Sequence, residues 1–102
     1  MYRASDRVEH AAWIERLETA SETLDLEAET RSTATDLFLS QAPDSVDGKR
    51  VVAAGSLYAA ALIRGQQRSQ SAVADAMDVS RLSVQQRWKS ILADAGFTPP
   101  TW

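Results

Sequence analysis

Apolar residues recur at intervals of three and four along most of the chain, and no stretch alternates as a half-buried strand does. Proline and glycine punctuate it at Pro43, Gly48, Gly55, Gly65, Gly96, Pro99 and Pro100, and the segments between these breakers read as five helices. Helix 1 is expected to start at Asp6, with Glu9 at the spacing of a capping box, and to bury Ala11, Ile14, Leu17, Ala20 and Leu24. Glu15, Glu18 and Glu22 line another face of it, the pattern of a solvated surface. Helix 2 should run from Glu27 to Ala42, with Ala34, Leu37, Phe38 and Ala42 inward and Pro43 as its stop. Pro43 to Gly48 reads as a loop. Helix 3, Lys49 to Arg64, is small or apolar on every side from Val51 to Ile63, so it is buried all round and forms the hub. Gly65 ends it. Helix 4 follows Ser69 and ends near Met77; helix 5 follows Ser80 and ends near Ala95, before Gly96. The expected architecture is all-α: one five-helix domain over 1–96, then a tail, 97–102, whose Phe97 and Trp102 fold back over the bundle. Trp13 and Tyr58 read as core or interface residues.

Helices 4 and 5 have the pattern of a helix-turn-helix. Ala74 is the small residue where the helices cross, and Val73, Met77, Val79 and Val84 are the apolar residues beneath them. Asp78 occupies the tight turn, where the backbone goes left-handed and glycine is usual. Within helix 5, Val84, Trp88, Ile91, Leu92 and Ala95 recur as a core stripe, whereas Leu82, Gln85, Gln86 and Lys89 fall elsewhere. An apolar Leu82 off the core stripe has two readings. It covers the crossing with helix 4, or it meets a thymine methyl in a major groove while glutamines read adenine edges. On the second reading Arg81, Leu82, Gln85 and Gln86 face the bases. Ser69, Ser80, Ser83, Arg64, Arg68, Arg87 and Lys89 face the sugar-phosphate backbone.

Charge sharpens that choice. The 102 residues carry a net −3, but residues 1–47 hold eleven acids against four arginines, and residues 48–102 hold seven bases against three acids. The halves are therefore −7 and +4, and a basic half containing the paired helices fits double-stranded DNA as partner. There is no cysteine and a single histidine, His10, so disulfides, thiolate chemistry and a zinc ribbon are out of reach, and neither a metal nor a cofactor is expected. His10 stands on the acidic first helix, and no glycine-rich nucleophile turn occurs, which argues against catalysis. No apolar run is long enough for a membrane span, and the N-terminus lacks the apolar stretch of a signal peptide. A cytoplasmic, nucleoid-associated protein is expected, and acid-rich, lysine-poor usage points to a salt-adapted cytoplasm.

From about Val8 to Gly96 the chain resembles one cyclin-like repeat of archaeal transcription factor B and eukaryotic transcription factor IIB. The resemblance rests on Leu24-Asp25-Leu26, on Ala34 with Leu37-Phe38, and on the run Ala53-Ala54-Gly55-Ser56-Leu57-Tyr58-Ala59-Ala60-Ala61. Ser69-Gln70-Ser71-Ala72-Val73-Ala74 extends it. Its most specific part is Val79-Ser80-Arg81-Leu82-Ser83-Val84-Gln85-Gln86-Arg87-Trp88, similar to the family's Val-Ser-Glu-Val-Thr-Ile-Arg-Asn-Arg-Tyr. It implies a five-helix cyclin-like bundle around a central third helix, and promoter binding through helices 4 and 5. The family's reading valine and arginine correspond to Leu82 and Gln85. Exchanging arginine for glutamine moves the preferred base from guanine toward adenine. Without a second repeat or a zinc ribbon, a small sequence-specific regulator is expected rather than a general initiation factor. The resemblance leaves as protein partners TATA-binding protein, another transcription factor or a second copy forming a homodimer. Cyclin-like repeats also serve as protein docking platforms, and such an adaptor without DNA specificity is the alternative.

Overall fold

The computed structural model describes residues 10–43 and 45–98. Among these residues five helices follow one another: α1 Ala11–Thr23, α2 Ala28–Gln41, α3 Val46–Ile63, α4 Gln70–Met77 and α5 Arg81–Asp94. Among the described residues there is no strand, and no helix is long and apolar enough to cross a membrane.

The hub is α3. Every residue from Val52 to Ala61 is buried, which leaves no face of this stretch for solvent. Its alanines, Gly55 and Ser56 keep the helix thin, so that α2 and α5 pack closely on it, with α1 and α4 completing the shell. Thinness matters most at Gly55. A Cβ there would lie 2.7 Å from Ile91 Cδ1 and 3.2 Å from Arg87 Cβ, so α3 and α5 cross where only glycine fits without adjustment. One turn on, the Tyr58 and Trp88 rings meet edge to face, centroids 5.2 Å apart.

Helix ends depart from the sequence reading in instructive ways. α3 begins at Val46 rather than Lys49, because Ser45 accepts the Gly48 amide and caps three residues expected in a loop. α1 begins at Ala11 with His10 at its N-cap position; the Asp6–Glu9 capping box lies outside the described residues. Ala11 faces solvent, and α1 is turned so that Trp13, Leu17, Ala20 and Ser21 are inward. Ala95, expected under α5, is exposed. His10 is buried and packs edge-on to Phe38, a core position. Phe97 is 48% exposed, at the rim of a small apolar hollow with Leu62, Ile63 and Leu92. Trp102 lies outside the described residues.

Four helices stop in the same way. A left-handed residue follows the last turn (Asp25, Gly65, Asp78, Gly96), and the next amide bonds back five residues: Leu26 to Ser21, Gln66 to Ala61, Val79 to Ala74, Phe97 to Leu92. Two of the four are aspartates, one of the non-glycine residues that tolerate this conformation best.

The α3–α4 loop joins distant parts of the chain. The Gln66 Oε1 accepts from the Glu27 amide and the Thr30 hydroxyl, so a residue 39 positions away caps α2, whose own Glu27 makes no side-chain cap. The Arg68 guanidinium donates to the carbonyls of Leu24, Asp25, Gln66 and Gln67 at 2.8 to 3.3 Å. These bonds tie the end of α1 to the start of α4. Arg68→Ala is expected to lower stability by about 1 to 2 kcal/mol, since it removes charge-assisted bonds to part-buried and exposed carbonyls that water replaces in part. Urea unfolding of the two proteins measures it.

Candidate nucleic-acid interface

Two serines and one aspartate shape the α4–α5 unit. Ser69 Oγ accepts the Ala72 amide and starts α4; Ser80 Oγ accepts the Ser83 amide and starts α5. Between them Asp78 adopts φ 57°, ψ 48°, so the chain reverses within Asp78-Val79-Ser80. The left-handed aspartate inferred from the motif is therefore present. Val73, Ala74 and Met77 of α4 and Val84, Trp88, Ile91 and Leu92 of α5 are buried in the common core, and Val79 is partly buried against it. A β-branched residue resists positive φ, so Asp78→Val should cost about 1 to 2 kcal/mol, while Asp78→Gly should be tolerated. Thermal unfolding of both variants checks this; equal losses would mean that the turn does not depend on its left-handed residue.

With its stripe Val84–Trp88–Ile91 held inward, α5 turns the opposite side outward. Leu82 is 61% exposed, so it does not cover the crossing with α4. Gln86, one turn later, is exposed; Gln85 and Lys89 are half-buried, and Ser83 is too. Arg81 is exposed, and its Nη1 reaches the Gln70 Oε1 at 3.4 Å, a contact between the first residues of the two helices. The Ser80 and Ser83 hydroxyls bond each other at 2.9 Å. The Lys89 ammonium sits 5.5 Å from the Trp88 ring centroid, and Arg87 is exposed along the flank.

The two arginines before α4 have other tasks. Arg64 donates through Nε to the Thr33 hydroxyl on α2, and Arg68 holds the four carbonyls described above. The structure thus gathers Arg81, Leu82, Gln85, Gln86, Arg87 and Lys89 on one helix with Ser80 and Ser83 at its start. Ser69 opens the neighbouring helix. It adds a residue the motif did not single out: Arg50 of α3, whose Nη1 lies 3.8 Å from the Asp78 carboxylate. Its only sequence signal is membership of the basic half.

The architecture has a match. The family model for the transcription factor TFIIB repeat fits residues 8–94, a span that takes in all five helices. The chain belongs to that family. No curated protein matches it. A TFIIB repeat is a cyclin-like helical fold of the transcription machinery, and the family is one of transcription-factor domains rather than enzymes. Domains of the family interact with DNA and with TATA-binding protein in transcription. As a TFIIB repeat, the chain presents α5 as the helix whose free side carries both apolar and amide chemistry.

Proposed function

We propose that the protein is a sequence-specific DNA-binding regulator of transcription that reads the major groove with α5. The observation that carries this reading is Leu82: a leucine 61% exposed in the first turn of a helix whose opposite side is fully engaged in the core. Single exposed leucines occur on ordinary surfaces, but at this place on α5 a thymine methyl would cover the side chain. Gln85 and Gln86 supply adenine-matching amides next to it, and Arg87 supplies charge for the phosphates. A second copy or another transcription factor would enlarge the small footprint of one repeat, and the protein would work in the cytoplasm on the nucleoid.

Selection of bound duplexes from random DNA tests the reading. Enrichment of a short A·T-containing site is expected, and a palindromic one would identify a dimer. Gln85→Arg should then move preference at one position toward G·C by about 1 to 3 kcal/mol. Leu82→Ala should weaken the preferred site while leaving thermal unfolding nearly unchanged. Failure to enrich any site would favour the adaptor function instead.

A further inference from the structure

Resting on the DNA-binding reading, we propose that Arg50 of α3, outside the paired helices, contacts the DNA backbone, and that the turn residue Asp78 restrains it until DNA arrives. Three other guanidinium groups of the basic half are committed elsewhere, Arg64 to Thr33, Arg68 to four carbonyls and Arg81 to Gln70, while Arg87 stands exposed on the flank of α5. Among the described residues Arg50 has one side-chain partner, Asp78, at 3.8 Å, close to the limit for an ion pair. Its Nε is buried without a hydrogen bond, while its Nη1 faces the turn. The side chain is 33% exposed and that of Asp78 is 94% exposed. A half-buried stem therefore aims a donor-rich head at an open turn and leaves most of its donors unused.

The place is what gives this arrangement its meaning. Asp78 and Ser80 bracket the turn that delivers α5, and when such a helix enters a major groove the helix and turn before it cross the sugar-phosphate chain. A carboxylate there repels phosphate, and Arg50 offsets it. When a phosphate approaches, the guanidinium can exchange a long, solvent-screened contact for a charge-assisted bond to an oxyanion. Asp78 is thus a competitor for Arg50 as well as a turn former.

Affinity for a mixed-sequence duplex, measured across salt, tests both parts, because phosphate contacts do not depend on base sequence. Arg50→Gln should reduce the slope of log affinity against log salt by about 0.9, so the loss of affinity between about 50 and 200 mM salt shrinks three- to fourfold. Arg50→Lys keeps the charge and should keep the slope; a merely structural arginine would give equal results for glutamine and lysine. Asp78→Asn preserves left-handed tolerance, removes the charge and should tighten binding, by more when Arg50 is present than in Arg50→Gln. An unchanged slope in Arg50→Gln overturns the phosphate contact, and additive effects of the two changes overturn the restraint. A wild-type protein without salt-dependent binding would overturn the DNA-binding reading itself, a result distinct from either.

Discussion

Gly55→Leu is expected to destabilise the protein by about 3 kcal/mol or more, a large share of the 5 to 15 kcal/mol typical of a domain. The position is helical and buried, so backbone conformation is not the obstacle; space is. Even a first carbon would meet Ile91 Cδ1 at 2.7 Å and Arg87 Cβ at 3.2 Å. Ile91 can rotate its terminal methyl away, but Arg87 Cβ is rooted in the α5 backbone and yields only if the helix moves. Alanine is the informative control. It gains about 1 kcal/mol of helix propensity over glycine, against a turn of the Ile91 methyl and a small shift at Arg87 Cβ, so Gly55→Ala should be close to neutral. Leucine adds three further carbons with nowhere to go and should push α5 off α3. Denaturant unfolding of the three proteins, with DNA binding measured on the folded fraction, separates the cases. Leucine tolerated as well as alanine would mean that the crossing is loose.

Trp88→Ala should cost a comparable amount, about 3 to 5 kcal/mol, for the opposite reason. Trp88 is fully buried at the centre of the α5 stripe, and its ring meets Tyr58 edge to face. Truncation leaves a cavity under the middle of the helix, removes the aromatic pair and strips Lys89 of the ring beneath its ammonium. Trp88→Phe retains a ring and should lose distinctly less. Near-ultraviolet dichroism and thermal unfolding report both. If alanine cost under 1 kcal/mol, α5 would be held by its neighbours and not by this side chain.

What the sequence revealed and what it concealed divide along distance in the chain. Ser69, Ser80 and Asp78 were readable because a cap or a left-handed turn is settled by residues three to five positions apart. The buried hub was readable because thirteen residues without a charge leave α3 no solvent face. Ser45 was missed as a cap: a following Asp47 and Gly48 look like loop residues, and only the bond to the Gly48 amide reveals the helix. Asp25 turns left-handed just as Asp78 does, but Leu24-Asp25-Leu26, although part of the family resemblance, carries no helix-turn-helix pattern that would mark a turn. Gln66 and Arg68 were unreadable in their actual roles, since a glutamine capping a helix 39 residues away has no local signature. Arg68 was expected among the phosphate contacts on charge alone; the carbonyls of Leu24 and Asp25 engage that charge within the protein. In the candidate interface the chemistry of α5 was visible, but the greater exposure of Gln86 over Gln85 depends on how the helix is rolled on α3.

The repeated helix stop has a kinetic consequence. In each, the amide that closes the turn finds its carbonyl five residues back, so four helix ends can form from contacts that are near in sequence. Loops this short reach their ends in well under a microsecond, long before elements far apart in the chain can meet. The slow event is then the encounter of α5 with α3, about thirty residues upstream, for which Gly55 and Trp88 are the meeting points. Refolding should accordingly be slowed by changes at that crossing and little affected by changes at Asp25 or Asp78, which would act mainly on the rate of unfolding.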